Sequence, residues 1–344
     1  MGVEVTIGIP VFNAEKYLTR SLDTVLNQSF KEIEVLLVDD CSTDNTVSVI
    51  QEIQQTHPRG NCIRLLCQER NSGPGIARNR MIDEAQGRYL FFMDADDTLP
   101  INAIYTLYEA ALNYKSEVVY GSYKRIEIYG KNRNSNLFQY PLTVFQKKGA
   151  LASYAYRHYG KFQAQVWNVL VDLSFLRQTE IRFIHARFWE DMAFTYDIVP
   201  YVSRAVLLPF VTYNYLCRPN SLSNFQDRET IQRDEVVRNI STIDHIKIGC
   251  AELRSKPYVG YRSYGVVMNS FYMVCQILKL RDRISPPFTD EELRLIMYHP
   301  LSIGDIFRSH RKLLGNLMLW SIGRLPLRLF MPTIKVMGKI KRVL

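Results

Sequence analysis

Three carboxylates follow one apolar segment of the chain. Residues 89–93 are all apolar, and Asp94, Asp96 and Asp97 come directly after them. Such a run predicts a short strand that is buried on both faces. Asp94 and Asp96 are two positions apart, so in extended backbone their side chains point the same way and can share a cation. Three carboxylates this close together repel one another unless a positive charge lies among them. The alternative is a solvated acidic turn that caps the helix expected near Pro100.

The elements around these carboxylates alternate between strand and helix. Apolar runs predict strands at residues 5–12, 33–38, 63–66 and 89–93, and helical periodicity follows the first three of them. Asn13 is expected to cap the first helix. Repeated strand–helix units with short connections predict an α/β fold built on a mostly parallel, doubly wound sheet.

Polar residues end three of these strands, at residues 10–13, 39–40 and 94–97. In a doubly wound sheet, ligands bind beyond the carboxyl ends of the strands, so these residues are expected to line one site. No G-x-G-x-x-G follows the first strand, and no G-x-x-x-x-G-K-[ST] occurs in the chain. A nucleotide at this edge would therefore be held by side chains and a metal ion.

Composition sets broader limits. The chain has 344 residues, 47% of them hydrophobic and 22% charged, which is enough for one large domain and an appendage. No run of apolar residues is long enough to predict a membrane-spanning helix. The start of the chain lacks the basic region of a signal peptide. The six cysteines form no C-x-x-C pair, and we expect reduced core thiols in a cytoplasmic protein.

The net charge of +9 is concentrated near the C-terminus. Residues 301–344 hold nine Lys and Arg against one acid, Asp305, a local net charge of +8. The rest of the chain is almost neutral, which argues against a body that binds nucleic acid.

The C-terminal third has a helical pattern. Residues 228–283 have helical periodicity, and Pro326 and Pro332 are expected to divide the tail that follows into short pieces. Its final piece is predicted to be amphipathic, with the apolar face Ile334, Met337, Ile340 and Leu344 opposite Lys335, Lys339 and Arg342. We predict a peripheral anchor to anionic lipid; a helix pair packed on the catalytic body is the alternative.

Five segments of the chain, in this order, resemble the motifs of glycosyltransferase family 2. They are IPVFNAEKYL at 9–18, VDDCSTD at 38–44, NSGPGIARN at 71–79, GRYLFFMDADD at 87–97 and WED at 189–191. The resemblance is closest to bacterial enzymes that build capsule, exopolysaccharide or lipopolysaccharide sugars. It implies a GT-A fold over residues 1–225, with a nucleotide-sugar half at 1–120 and an acceptor half at 121–225. Residues 226–344 would form a helical C-terminal region.

The resemblance implies an inverting, metal-dependent transfer of a sugar from a nucleotide-sugar donor. Asp96 would bind Mn²⁺ or Mg²⁺, with Asp94 near the ribose or a metal-bound water. A hard cation held by oxygen ligands would stabilise the charge that grows on the departing diphosphate. The resemblance leaves the role of Asp97 open between the metal and a helix cap.

The same resemblance predicts how the donor is held. Asp40 would accept a hydrogen bond from the base, which favours uridine over cytidine and leaves a GDP-sugar possible. Phe12 would stack on the base, unless it packs in the core. Arg78 would reach the base or the phosphates, unless it is an ordinary surface arginine. The full predicted donor-binding set is Pro10, Phe12, Asn13, Glu15, Asp40, Arg78, Asp94, Arg218 and Ser221.

The acidic pair Glu190-Asp191 matches the catalytic position of the family. An acceptor hydroxyl needs a base to take its proton as the new bond forms, and we assign that role to Asp191, with Glu190 orienting the acceptor. The alternative is an acidic pair at the start of the helix predicted at 191–198, stabilised by the helix dipole. The nearby Trp167-Asn168 is predicted to be either core or a platform for the sugar.

The resemblance also implies partners. The expected acceptor is a hydroxyl of a glycan or of an undecaprenyl-linked glycan, and the enzyme would bind peripherally to the inner face of the cell membrane. One rival is a transferase of the same fold that uses polyprenyl phosphate as acceptor. Another is a non-enzymatic, basic membrane-binding protein. No nucleic acid is expected, a homodimer is possible, and the transferred sugar stays open.

Overall fold

The computed structural model of the protein describes residues 2–129, 132–158, 162–186, 189–217 and 230–344, the side chains at 128–129 and 132–133 excepted. The chain forms two compact units. The first comprises Met1–Leu151, Ala164–His185 and Glu190–Ser223, and the second comprises Ala152–Gln163, Ala186–Trp189 and Asn224–Leu344.

The first unit is an α/β unit built on one sheet. Its strands are β1 (Val5–Val11), β2 (Ile33–Asp39), β3 (Ile63–Cys67), β4 (Tyr89–Phe92), β5 (Val118–Tyr129), β6 (Asn132–Phe138), β7 (Thr143–Phe145), β8 (Val169–Asp172) and β9 (Ala205–Cys217). Its helices are α1 (Glu15–Leu26), α2 (Thr46–Thr56), α3 (Pro74–Glu84), α4 (Ala103–Asn113), α6 (Leu173–Gln178) and α7 (Glu190–Ile198), and α5 (Ala150–Arg157) continues into the second unit.

The sheet has the strand order β3-β2-β1-β4-β8-β5-β9-β7, and β6 pairs with β5. Strands β3, β2, β1 and β4 are parallel to one another, as the sequence predicts. The second half is mixed, because β8 runs antiparallel to β4 and β5 while β5 and β9 are parallel. The predicted α/β fold with a largely parallel sheet and a helical C-terminal region is confirmed.

Apolar patterning explains these elements. Six of the seven residues of β1 are buried and all seven of β2 are, as befits central strands covered by helices on both faces. Helix α1 places Leu18, Leu22 and Val25 on one face, each fully buried. Burial of each such side chain contributes about 1.5–3 kcal/mol to the stability of the fold.

Parallel pairing brings the carboxyl ends of β1, β2 and β4 to one edge. Val11 at the end of β1 pairs with Asp39 of β2, and Gly8 of β1 pairs with Phe92 at the end of β4. The segments that follow these strands therefore leave the sheet at the same edge.

The predicted cap of α1 is wrong. Asn13 does not cap this helix, because Ala14 occupies the cap position and the Asn13 side chain accepts a hydrogen bond from Thr43 N at 2.8 Å.

The second unit is mainly helical. It contains β10 (Ile231–Gln232), α8 (Arg233–Glu252), α9 (Val259–Lys279), β11 (Ile284–Ser285), α10 (Asp290–Ile296), α11 (Ile303–Ser309), α12 (Leu313–Ile322) and α13 (Leu327–Ile340). Helices α8 and α9 pack together, and α9 also contacts α10, α11, α12 and α13. Pro332 lies inside α13, so the predicted break at this residue is wrong.

In the described part of the chain, no helix has both the length and the apolar content to cross a membrane.

The cysteines differ from the prediction. All six are free thiols, but only Cys250 and Cys275 are buried. Cys67 is exposed, and Cys41, Cys62 and Cys217 are partly exposed. The expectation that most of them lie in the core is therefore wrong.

Candidate active site

The loop after β4 holds the three carboxylates, and one of them is structural. Asp97 is fully buried; its Oδ2 accepts a hydrogen bond from Tyr213 Oη at 2.7 Å, and its Oδ1 accepts one from Leu216 N at 2.7 Å. Tyr213 Oη in turn accepts a hydrogen bond from Asp94 N at 3.1 Å. Burial, together with the charges of Asp96 and Asp94, raises the pKa of Asp97 well above its usual value. Asp97 thus joins the loop to β9, and its side chain caps no helix.

Arg78 on α3 joins two of the predicted acidic groups. Its Nη1 donates to Glu190 Oε1 at 2.7 Å, and its Nη2 donates to Asp94 Oδ1 at 3.0 Å. Only 5% of Arg78 is exposed, so the alternative of an ordinary surface arginine is wrong. Its Nε is buried and has no hydrogen-bond partner in the part of the chain that the structure describes.

A glycine lets α3 approach the acidic pair this closely. A Cβ added to Gly75 would lie 3.1 Å from Ile184 O and 3.2 Å from Glu190 Cγ. Both distances are shorter than ordinary carbon contacts in packed interiors. Gly75 therefore leaves room for the ion pair that Arg78 makes with Glu190.

Helix α7 begins at the acidic pair. Glu190 is 6% exposed and bonded to Arg78, whereas Asp191 is partly buried. Burial and the neighbouring charge of Glu190 raise the pKa of Asp191 to about 7, against the opposing effect of Arg78. Helix α7 starts one residue earlier than predicted, and its N-terminus faces the same site as Arg78.

Asp40, directly after β2, holds the glycine-rich turn that precedes α3. Its Oδ1 accepts a hydrogen bond from Ser72 N at 2.8 Å, and its Oδ2 accepts one from Gly73 N at 2.8 Å. Gln68 Nε2 also donates to its Oδ1. Gly73 has a φ of 88°, a left-handed conformation that favours glycine. Asp40 is 3% exposed, and its carboxylate is bonded to this turn and to Gln68.

The end of β1 presents the remaining donor-site candidates. Phe12 is 47% exposed, so the alternative that it packs in the core is wrong. Pro10 is partly buried within β1. Asn13 Oδ1 and Glu15 Oε2 accept hydrogen bonds from backbone amides of the loop after β2, those of Thr43 and Asn45. Both side chains therefore hold the loops after β1 and β2 together at the sheet edge.

Two residues of the predicted donor-binding set follow β9 in the sequence. Arg218 and Ser221 lie outside the described residues, which resume at 230 after β9 ends at Cys217.

Trp167 belongs to the core. It is 5% exposed and stacks on Tyr213 and Tyr215, with ring centroids 4.8 and 5.2 Å away. A buried indole offers no open face to a sugar, so the platform interpretation is wrong. Asn168 is fully buried; its Nδ2 donates to Gly121 O at 2.7 Å, and its Oδ1 accepts from Thr212 Oγ1 at 2.6 Å.

Asp94 and Asp96 suit a divalent cation that takes only one or two ligands from the protein. Among the described residues, no three His, Cys, Asp or Glu side chains are grouped so that they could hold an ion alone. Mg²⁺ and Mn²⁺ commonly use one or two carboxylates and complete their shells with water and substrate phosphates. The pKa of Asp94 is raised, mainly by burial and also by Asp96, despite the pairing with Arg78. The site thus has an excess of negative charge that a cation would relieve.

Sequence reasoning missed Tyr213 altogether and missed the role of Asn168. Tyr213 supports both Asp94 and Asp97, and a tyrosine inside an apolar strand carries no local signal of such a role. Asn168, predicted with Trp167 as either core or a sugar platform, ties the chain before β8 to β5 and β9. A polar amide directly before the apolar run at 169–171 is the clue that the sequence offers for this role.

Comparison with known proteins identifies relatives of this chain. Residues 6–167 match the family model "Glycosyl transferase family 2". An uncharacterized glycosyltransferase of Haemophilus influenzae is 30% identical over 203 residues, which are 59% of this chain and 74% of that protein. Chondroitin synthase of Escherichia coli is 32% identical over 166 residues, which are 48% of this chain and 23% of that protein. The chain spans 18% to 38% of the length of three curated relatives, the chondroitin synthase among them.

A solved structure shares the fold. TarS 1–349 of Staphylococcus aureus, crystallised in complex with UDP-GlcNAc, superposes with a TM-score of 0.60 at 19% sequence identity. The match covers 93% of this chain and 90% of that one.

Proposed function

Because the chain belongs to glycosyltransferase family 2, we propose that it transfers a sugar from a UDP-sugar to a hydroxyl group of a glycan or lipid-linked glycan. The observation that carries this proposal is the position of Arg78. This one buried side chain bonds both Asp94 of the predicted metal loop and Glu190 of the predicted catalytic pair. Two motifs far apart in the sequence thereby share one site.

Asp191 is proposed as the base. In its ionised form it takes the proton of the acceptor hydroxyl while the oxygen attacks the anomeric carbon of the donor. The bond from that carbon to the diphosphate oxygen breaks, and its electron pair leaves with the nucleoside diphosphate. Attack from the face opposite the leaving group inverts the anomeric centre. A pKa of about 7 leaves Asp191 both ionisable and sufficiently basic near neutral pH.

Glu190 and Arg78 are proposed to position the reactants. The bond to Arg78 fixes Glu190 beside Asp191, where it can orient the acceptor. Arg78 is proposed to hold Glu190 and Asp94 in place, and through Asp94 to position the nucleotide side of the site.

Asp94 and Asp96 are proposed to hold Mn²⁺ or Mg²⁺. When bound, the cation would neutralise charge on the leaving diphosphate. Asp97 is left out of this set because both its oxygens already accept hydrogen bonds from Tyr213 and Leu216.

We propose residues 1–120 as the donor half and 121–225 as the acceptor half. Phe12 would stack on the base beside Pro10, and Asp40 would bind the base or hold the turn that contacts it. Arg218 and Ser221 would bind the diphosphate. UDP-GlcNAc in the TarS crystal supports a UDP-sugar donor.

We further propose a role in bacterial surface polysaccharide synthesis, which the chondroitin synthase among the relatives supports. An undecaprenyl-linked acceptor would draw the enzyme to the inner face of the cell membrane.

Two measurements test the proposal. A thermal-shift comparison of UDP, GDP and CDP, each with and without Mn²⁺, should show the largest rise in melting temperature with UDP and Mn²⁺. A ligand at a hundredfold its Kd stabilises the fold by about 2.7 kcal/mol. Hydrolysis of UDP-sugars should depend on Mn²⁺ and be lost in Asp96→Ala, with the exposed Asp282→Ala as control. If no nucleoside diphosphate raises the melting temperature, the proposed function is wrong; equal hydrolysis by Asp96→Ala and parent would remove the metal assignment.

A further inference from the structure

Helix α13 is held in the second unit by one of its faces. Phe330, Ile334 and Gly338 are spaced four residues apart and are buried. This spacing places them on one side of the helix, which packs against α9 and α10. Ile334 therefore lies in the packed interface and not, as predicted from the sequence, on the free apolar face.

The opposite side of α13 presents a different apolar set. Leu329, Val336 and Ile340 are 51%, 58% and 73% exposed, and we name them the outer stripe. Residues seven and eleven positions apart lie within about 40° of each other around a helix of 3.6 residues per turn. Over eleven residues the outer stripe extends about 16 Å along the helix.

A row of cations runs beside the outer stripe. Arg328, Lys335 and Lys339 are exposed, and we name them the basic stripe. Their positions lie about 100° around the helix from the outer stripe. Acidic residues are scarce in this part of the sequence, because Asp305 is the one acid between 301 and 344 and its carboxylate pairs with Arg308 at 2.7 Å. In α10, which packs against α13, Asp290 and Glu292 pair with Arg281 and Arg233.

We infer that this face of α13 binds the surface of an anionic lipid membrane. An exposed apolar row beside a row of Lys and Arg matches a bilayer interface, where acyl chains meet acidic headgroups. The helix would lie in the interface plane, because its 14 residues are about 21 Å long, shorter than a hydrocarbon core of about 30 Å.

Charge distinguishes this partner from the two other candidates. A second copy of the chain on this face would bring two basic stripes together, which is unfavourable. A nucleic acid would satisfy the basic stripe but would leave Leu329, Val336 and Ile340 against water or phosphate. The membrane alone satisfies both stripes.

The test measures binding of the full chain to vesicles by co-sedimentation. Vesicles of phosphatidylcholine are compared with an equal mixture of phosphatidylcholine and phosphatidylglycerol. Two triple variants are made, Leu329→Ser/Val336→Ser/Ile340→Ser and Arg328→Gln/Lys335→Gln/Lys339→Gln. Since each basic residue near an anionic surface contributes a factor of about five in affinity, loss of three should weaken binding about a hundredfold.

A matched control tests whether the loss of any three exposed apolar side chains weakens vesicle binding, or only the loss of those on this face of α13. Val237→Ser/Ile248→Ser/Leu295→Ser removes three exposed aliphatic side chains from α8 and α10 of the same unit, 43%, 61% and 66% exposed. We expect the control to bind anionic vesicles like the parent and all variants to keep the parent's melting temperature.

Four results would overturn the inference. The first is equal binding of the parent to neutral and anionic vesicles. The second is binding by both α13 variants as tight as that of the parent. The third is tighter binding to double-stranded DNA than to anionic vesicles. The fourth is a dimer of the parent that the outer-stripe variant fails to form. None of these results bears on sugar transfer, because the assay contains neither donor nor acceptor.

Discussion

Arg78 Nη1 lies 2.7 Å from Glu190 Oε1, although 112 positions separate the two residues in the chain. The ion pair is buried, with side chains 6% and 8% exposed. The same guanidinium reaches Asp94, so one cation offsets two carboxylates that would otherwise repel each other. The loop after β4 and the start of α7 are thus joined through a single arginine.

Replacing Arg78 should damage both stability and activity. In Arg78→Gln, Glu190 would remain buried without its counter-charge, and breaking such a buried pair typically costs about 3–5 kcal/mol. Asp94, 32% exposed, would lose the same partner at a smaller cost. Urea unfolding should show this loss. Donor hydrolysis should fall as well, because Glu190 and Asp94 lose their fixed positions.

A surface pair supplies the control for Arg78. Arg182 bonds Asp83 at 3.0 Å, but the two side chains are 37% and 61% exposed. Arg182→Gln should cost about 1 kcal/mol or less through that pair. If the two variants lost equal stability, the importance given to the buried pair would be wrong.

Asp191 should make transfer dependent on pH. Its carboxyl must be ionised to act as a base, and its pKa is raised to about 7. The rate of transfer to an acceptor should therefore rise between pH 6 and pH 8, a range centred on that pKa. Asp191→Asn should lose roughly 10²–10⁴-fold in transfer rate and the pH dependence with it. A variant with parental activity would instead favour an acceptor that is already ionised, such as polyprenyl phosphate.

The raised pKa of Asp191 should also make the stability of the fold depend on pH. Because the folded protein holds this proton more tightly than the unfolded chain does, the contribution of Asp191 to the free energy of unfolding falls as pH rises from about 4 to about 7. Asp191→Asn keeps position 191 uncharged at every pH. It should match the parent near pH 4 and be more stable at pH 8, while Asp282→Asn at an exposed position should show no such change. A stability difference that is the same at both pH values would contradict this explanation.

The sequence predicted the parts of the site that depend on local pattern. Apolar runs located the four parallel strands, and the carboxylates after them lie at one sheet edge as expected. The pairing of Arg78 with Glu190 and of Tyr213 with Asp97 was not predictable, because the partners are 112 and 116 positions apart. Periodicity and motif spacing report neighbours along the chain, whereas these contacts arise where α3 approaches Glu190 at the start of α7 and where the loop after β4 meets β9.

Tyr213 should support the loop after β4, which carries the proposed metal ligands. In Tyr213→Phe, Asp97 Oδ2 loses a donor and Asp94 N loses an acceptor, and each unsatisfied buried group costs about 1–3 kcal/mol. We expect lower stability and weaker Mn²⁺ binding, measured by calorimetry in the presence of UDP. Tyr108→Phe is the control, because its hydroxyl bonds the partly buried Glu4 at 3.1 Å outside this site. Unchanged Mn²⁺ affinity in Tyr213→Phe would show that the tyrosine stabilises the fold alone.

Gly121 should tolerate no side chain, because β5 and β9 approach each other closely there. A Cβ at this position would lie 1.8 Å from Thr212 Oγ1 and 3.0 Å from Asn168 Oδ1. Gly121→Ala must therefore displace Thr212 and break its hydrogen bond to Asn168, and overpacking alone costs about 1–3 kcal/mol.

Thr212→Ala tests whether the cost of Gly121→Ala comes from the contact with the Thr212 hydroxyl or from a change in the backbone. Thr212→Ala removes the hydroxyl that the new methyl group would strike, so the double variant Gly121→Ala/Thr212→Ala should lose less stability than the sum of the two single variants. Gly304→Ala is the control, since the nearest heavy atom, Ser302 Oγ, would be 3.8 Å from its Cβ. Thermal unfolding of the four variants measures these differences. Strict additivity at Gly121 and Thr212 would mean that the hydroxyl is not what excludes the methyl group.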